Sequence, residues 1–216
     1  MNHFFPNEAV GWVFCGLLWA FTGAVASKDT MTRKIPNRWV VPGALLGLVA
    51  NVIRSALLAS GHAELSMLPT GTIGLGILDG LLFSLFGFLL AFAGMFAFWI
   101  LGLCGGGDVK LYAAVGAWLG WRYVAYVWML SIAMLWVWAI AYIVIRRLRF
   151  RRGVASMNAG TGKHGKPGFH PTYSLPIFLA SIAVCLTYFA VELGLKVPRQ
   201  TAATPGAGHA PLARIP

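Results

Sequence analysis

Long apolar segments without charged residues, separated by short polar segments, dominate the pattern of the chain. The first is residues 9–27, between Glu8 and Lys28. At a rise of about 1.5 Å per residue, a helix of this length crosses the hydrocarbon core of a bilayer, which is about 30 Å thick. The pattern therefore predicts that residues 9–27 form a membrane-spanning helix.

Five further segments have the same apolar character. Pro36 precedes the second segment, and proline favours the first turn of a helix. The fourth segment is too short for an upright span unless its helix begins within the glycines before it. The intervening residues 61–78 contain Pro69 and several glycines, which predict a loop or an interfacial segment. The further predicted spans are approximately residues 39–58, a segment within 80–103, and residues 109–120, 123–145 and 173–195.

These segments together predict an all-α, polytopic integral membrane protein with about six transmembrane helices. We expect residues 1–195 to form a single transmembrane domain and residues 196–216, rich in Ala, Gly and Pro, to be a disordered tail. Small side chains line the fourth segment and predict close packing against a neighbouring helix. They are Ala113, Ala114, Gly116, Ala117 and Gly120.

The composition supports a membrane protein and argues against a soluble enzyme. Apolar residues make up 58% of the chain and charged residues only 11%, whereas a soluble domain has about 25% charged residues. The net charge of +11 could indicate nucleic-acid binding. However, the Lys and Arg residues cluster in loops, as they do on the cytoplasmic side of membrane proteins. We therefore expect a lipid bilayer, and not nucleic acid, as the partner of the basic residues.

The distribution of these basic residues also predicts an orientation. Twelve of the 17 Lys and Arg residues lie in residues 28–38, in the loop at Asp108 and in residues 146–170, all on one side of the predicted membrane. The other five lie on the opposite side. The richer side is expected to be cytoplasmic, which places both termini on the non-cytoplasmic side.

Four of the six acidic residues, and one arginine, have simple structural interpretations. We expect Glu8, Glu64, Asp79 and Glu192 to be solvated residues in loops or at span ends on the non-cytoplasmic side. Arg54, near the far end of the second span, is expected to extend its charged group to the membrane surface.

Asp29 and Asp108 differ from the other acidic residues because both lie at the cytoplasmic ends of predicted spans. Each alone could be an interfacial carboxylate paired with a neighbouring lysine, Lys28 or Lys110. Ionisable groups at membrane depth are costly and are often functional. Two such groups on one face of the membrane therefore favour a functional site.

Both aspartates lie within sequence motifs. Asp29 is followed by a basic stretch and Ile35-Pro36-Asn37, and Asp108 lies in the sequence Gly-Gly-Gly-Asp-Val-Lys-Leu of residues 105–111. These two motifs, in this order on a six-span pattern, resemble those of the type IV prepilin peptidases, bacterial membrane aspartic proteases with a G-x-G-D motif. The resemblance extends from the first span to Leu175-Pro176. It implies that Asp29 and Asp108 are catalytic and that six motif residues support them: Gly105, Gly107, Lys110, Ile35, Pro36 and Asn37.

A pair of carboxylates fits the chemistry of peptide hydrolysis. One group activates water as a base, and the other protonates the leaving amine as an acid. Adjacent carboxylates share a proton because both cannot ionise cheaply. This mechanism requires no metal and no cofactor, and the sequence leaves open which aspartate is the base. Cys15, Cys104 and Cys185 form no C-x-x-C pair, which argues against a zinc site.

The roles of the supporting residues have alternatives. The glycines before Asp108 could allow close approach of a substrate backbone or form the tight turn that ends the third helix. Lys110 could pair with a carboxylate, although an anchor at the membrane interface is the favoured interpretation. The chain lacks the two C-x-x-C pairs that many relatives carry near the N-terminus. It therefore resembles the short, peptidase-only forms of tight-adherence pilus systems, and N-methylation is not implied.

The resemblance predicts a multi-pass endopeptidase of the bacterial inner membrane that cleaves the leader of prepilin-like proteins at the cytoplasmic face. A small proton-coupled transporter is one alternative, and a non-enzymatic membrane component of a pilus or secretion machine is another. Both acids lie at one face and not near the midplane, which argues against the transporter. The oligomeric state is left open.

Overall fold

The computed structural model of the 216-residue chain describes residues 4–61, 63–69, 71–153 and 173–195. Within these residues all regular structure is helical and no strand is present, which confirms the predicted all-α class. The predicted tail and most of the basic loop after the fifth span lie outside the described residues. The five helices are α1 (Glu8–Thr32), α2 (Asn37–Ser60), α3 (Ile73–Ile100), α4 (Gly106–Gly153) and α5 (Ser174–Tyr188).

Helices α1, α2 and α3 are each long and apolar enough to cross a membrane. Helix α5 has only 15 residues and ends at Tyr188. The chain then turns, with the Phe189 N–H donating to Cys185 O at 3.1 Å and Gly194 at a φ of 70°. The prediction of a helix over 173–195 is therefore confirmed only for its first two thirds. The all-helical class is confirmed, with three helices that could span a membrane, whereas the number of six spans stays a prediction.

Helix α4 contains a break at Gly120, where φ is 69° and ψ is −179°. This break lies where the sequence predicts the boundary between the fourth and fifth spans. A Cβ atom at Gly120 would lie 2.1 Å from the ring of Phe83, so both the positive φ and the close packing require glycine. The helix begins at Gly106, within the glycine triplet, which resolves the shortness of the predicted fourth span.

Helix α3 is shifted along the sequence relative to its prediction. It begins at Ile73, so the predicted loop 61–78 is wrong over its last six positions, and it ends at Ile100. The chain reverses at Gly102, which has a φ of 73°. The turn that ends the third helix is thus made before the triplet 105–107 and not by it. The glycines of residues 73–80 made the start of the helix look like a loop in the sequence. In the structure Gly76 and Gly80 allow α3 to pack closely against α2.

The first part of α4 lies at the centre of the bundle, and the side chains from Leu111 to Leu119 are almost wholly buried. A Cβ atom at Gly87 of α3 would lie 2.2 Å from Gly116 O, and one at Gly116 would lie 2.3 Å from Gly87 O. The backbones of α3 and α4 are therefore in direct contact, which agrees with the predicted small face. On the opposite flank, Trp118 Nε1 donates to Gly43 O of α2 at 2.9 Å.

Arg54 forms a buried polar cluster at the end of the bundle that holds the start of α1 and the end of α2. Its guanidinium donates to Asn51 Oδ1 at 3.0 Å and to Phe4 O at 2.9 Å. It also lies 4.0 Å from the centre of the Phe4 ring. The side chain is fully buried, so the expectation that it extends to the membrane surface is wrong.

Asp79 is part of the same cluster. It is fully buried inside α3 and accepts hydrogen bonds from Ser55 Oγ and from the backbone N–H groups of residues 66–68, at 2.6 to 3.2 Å. The expectation of a solvated residue preceding α3 is therefore wrong. Glu192 likewise accepts from the N–H groups of Phe4 and Phe5, at 2.7 and 2.9 Å. These carboxylates hold the N-terminal residues and the α2–α3 loop on the bundle.

We expect Gly87→Ala to destabilise the protein by about 1–3 kcal/mol, as overpacking in a filled core usually does. The added Cβ would overlap the backbone of α4. Gly94→Ala is a matched control on the same helix, because a Cβ there meets no atom within 4 Å. Unfolding of the detergent-solubilised protein by sodium dodecyl sulfate, followed by circular dichroism, measures both. Equal stability of the two variants would contradict the close contact.

Candidate active site

Asp29 lies one turn before the end of α1. The helix ends because Arg33 adopts a left-handed conformation, with a φ of 51°, and its N–H donates to Asp29 O at 2.7 Å. This is a common way to close the last turn of a helix. Asp29 is only 6% exposed, so the helix end places a carboxylate inside the bundle while Arg33 remains exposed.

The buried carboxylate of Asp29 has a hydrogen-bond donor from the other end of the sequence. Ser174 Oγ, in the first turn of α5, donates to Asp29 Oδ2 at 2.5 Å. The serine is fully buried. Ser174 therefore links α5 to the carboxylate of α1.

Asp108 lies in the first turn of α4, ahead of the apolar part that begins at Val109. Its Oδ2 accepts from the N–H of Gly105 at 3.0 Å, the residue directly before the helix. This is half of a capping box, in which an acidic side chain in the third helical position reaches back to the first free N–H. The sequence Gly-x-Gly-Asp thus folds locally into a helix start that orients the carboxylate.

Burial raises the pKa of Asp108 to about 6. The hydrogen bond from Gly105 lowers this pKa and the negative charge of Asp29 raises it, but both effects are smaller than that of burial. The influence of Asp29 means that the two carboxylates, 79 positions apart in the sequence, lie close enough to interact. The structure therefore brings together the two aspartates that the motifs selected.

The other motif residues connect the α1–α2 loop to the start of α4. A Cβ atom at Gly107 would lie 3.1 Å from Ile35 Cβ, so the absence of a side chain at Gly107 leaves room for Ile35. Pro36 is the extended residue that caps α2. Lys110 Nζ donates to Asn37 Oδ1 at 3.1 Å, and it therefore joins the two motifs. The contact made by Lys110 is thus with an amide and not with a carboxylate.

Tyr173, next to Ser174, contributes to the surroundings of Asp108. Its hydroxyl lies 3.3 Å from Ser131 Oγ. Burial raises the pKa of Tyr173, and the charge of Asp108 adds to this increase. Neither Tyr173 nor Ser174 was a candidate from the sequence. The only local signal was a serine at a predicted helix start, which indicates a cap and not a contact with Asp29.

An apolar groove of about 360 Å³ lies near Asp108. Two of its lining residues, Cys104 and Tyr173, interact electrostatically with Asp108. Within the part of the chain that the structure describes, no group of three or more His, Cys, Asp and Glu residues could hold a metal ion. The remaining lining residues are Met95, Phe98, Leu103, Ile132, Leu135 and Trp136.

We expect Asp29→Asn to lower the midpoint of the Asp108 titration below its value of about 6. The substitution removes a nearby negative charge, and a carboxyl group then ionises more readily. The protonated carboxyl stretch of Asp108, identified by infrared difference spectroscopy against Asp108→Asn, reports the midpoint. Glu64→Gln, an exposed carboxylate in the α2–α3 loop, is the control and should leave it unchanged. An unchanged midpoint in Asp29→Asn would contradict the interaction.

Comparison with known proteins gives one match. The model of the type IV leader peptidase family matches residues 13–140. This range is more than half of the chain, and it includes both aspartates but not Ser174. No curated protein and no solved structure matches the chain.

Proposed function

Because the chain belongs to the type IV leader peptidase family, we propose that it is an aspartic endopeptidase in which Asp29 and Asp108 are the catalytic groups. Its family makes it a membrane peptidase of the prepilin type. Its substrates would be prepilin-like proteins or pseudopilins, cut at the leader on the cytoplasmic face of the bacterial inner membrane. The chain would act as a multi-pass protein without a cofactor.

The interaction between the two aspartates is the observation that carries this proposal. The charge of Asp29 raises the pKa of Asp108, which burial has already raised to about 6. A carboxyl group with such a pKa keeps its proton in mildly acidic solution while a neighbour is ionised. General acid–base catalysis needs this combination of one protonated and one ionised group.

The supporting residues would hold the dyad in place from two sides. The contact of Ile35 with Gly107 and the bond from Lys110 to Asn37 fix the α1–α2 loop against the start of α4. Since Asp29 precedes this loop and Asp108 opens the helix, the same contacts limit the movement of one carboxylate relative to the other. In this proposal the motif residues position the two carboxylates and take no part in proton transfer.

The apolar groove beside the dyad supports a substrate with an apolar segment next to the scissile bond. Its lining is almost wholly apolar, and Tyr173 and Cys104 lie both in this lining and in the electrostatic range of Asp108. An apolar segment bound there would lie alongside the carboxylates.

We expect Asp29→Asn and Asp108→Asn each to reduce cleavage of a prepilin-like substrate by at least about 10²- to 10⁴-fold, the usual contribution of a general acid or base. A single carboxylate cannot serve as base and acid in the same step. The measurement is the rate of leader removal by the detergent-solubilised protein, with Glu64→Gln as the control of unchanged rate.

A wild-type rate in either variant would show that the proposed dyad is wrong. The same preparations, reconstituted into vesicles, also test the transporter alternative. A carrier would be favoured if the wild-type protein moves protons across the vesicle membrane without removing a leader, and if both variants lose this proton movement. A non-enzymatic component would show neither activity.

We expect a reporter fused at Arg33 to behave as cytoplasmic and one fused at Glu64 to behave as periplasmic. The two residues lie at opposite ends of α2 and therefore on opposite sides of one span. The excess of Lys and Arg on the side of Arg33 predicts the direction. Alkaline phosphatase activity at Arg33 would place the dyad on the wrong side for cytoplasmic cleavage.

A further inference from the structure

We infer that Ser174 is a positioning residue that holds Asp29 as the ionised general base and thereby leaves Asp108 as the general acid. This inference rests on the proposed function and assigns each aspartate its part in the same reaction. It also adds α5 to the site, a helix that lies beyond the matched residues 13–140.

The geometry places the hydroxyl of Ser174 as a donor to the carboxylate of Asp29. Ser174 Oγ lies 2.5 Å from Asp29 Oδ2, a separation found when a hydroxyl donates to a carboxylate oxygen. Both side chains are buried, the serine completely. A hydrogen bond donated to a carboxylate favours its charged form over its protonated form.

Asp108 has a weaker set of donors. The hydrogen bond that the structure gives its side chain comes from the backbone N–H of Gly105. The effect of this bond on the pKa of Asp108 is smaller than that of burial, so the pKa stays raised, at about 6. The two carboxylates therefore differ in their donors: a side-chain hydroxyl donates to Asp29 and a backbone N–H donates to Asp108.

The other titratable groups around the dyad do not reverse this asymmetry. The charge of Asp108 acts on Cys104, in the turn before α4, and on Tyr173, before α5. Burial raises the pKa of each of these groups, which keeps both neutral near pH 7. Asp29 and Asp108 are consequently the two acids that exchange protons.

The reaction then balances in two steps. Asp29 takes a proton from water as the water oxygen bonds to the scissile carbonyl carbon, and Asp108 gives its proton to the carbonyl oxygen. When the C–N bond breaks, Asp29 gives its proton to the nitrogen, and one hydroxyl of the tetrahedral intermediate returns a proton to Asp108. The products are a carboxylic acid and an amine, and the dyad is restored.

Ser174→Ala tests the assignment in the full-length, detergent-solubilised protein with a prepilin-like substrate. We expect kcat to fall about 10- to 100-fold, as for loss of a hydrogen bond to a charged group, with little change in KM. The acid limb of the kcat profile should move to higher pH, because the substitution removes a hydrogen bond that favours the charged form of a carboxylate. Ser174→Cys retains most of the volume but donates weakly, and it should show the same two effects.

Ser181→Ala is the matched control, because Ser181 is equally buried on α5 but donates to the backbone oxygen of Phe178. It should keep the wild-type kcat and pH profile. Wild-type kcat in Ser174→Ala or Ser174→Cys, or a lower kcat with an unmoved acid limb, would overturn the inference. If Asp29→Asn and Asp108→Asn are inactive in the same assay, the proposed function survives that result. Activity in either of them would instead refute the function itself.

Discussion

The contact between the backbones of α3 and α4 at Gly87 and Gly116 is the constraint on which the rest of the structure depends. It allows the first part of α4 to lie at the centre of the bundle, where every neighbouring helix can pack against it. The first turn of this helix is partly covered, since Gly107 and Asp108 are half-buried while Gly106 is exposed. Asp108, in that first turn, is therefore buried enough for its pKa to rise, yet it remains beside the loop that follows α1.

The polar groups of the bundle are divided between its two ends. At one end, hydrogen bonds to the backbone and to serine and asparagine side chains occupy the polar atoms of Arg54, Asp79 and Glu192. Buried charges left unpaired would be strongly destabilising, so these contacts explain how the fold tolerates them. At the other end, Asp29 and Asp108 each have few donors and a carboxylate neighbour. The acids at the two ends thus differ in how many hydrogen bonds their carboxylate oxygens accept.

Hydrophobic pattern and motifs predict the all-α class, most of α1 and α2, and the two aspartates whose charges the structure brings into range. The catalytic role of these aspartates stays a prediction. The start of α3 was missed because glycines that serve helix packing look like loop residues. Arg54 and Asp79 were misjudged because residues 4–5 and 63–69 fold over them, a tertiary event without a local signal. Ser174 was missed for the same reason, since its partner lies 145 positions away.

The site draws on α1, the α1–α2 loop, α4 and α5, and no two of the contributing segments are adjacent in sequence except α1 and its loop. Ser174 contacts Asp29 only when α5 is packed against α1. The charge of Asp29 acts on Asp108 only when α4 occupies the centre of the bundle. A partly assembled bundle would therefore expose Asp108 to water and remove the burial that raises its pKa. The arrangement of Ser174, Asp29 and Asp108 is therefore a property of the complete bundle.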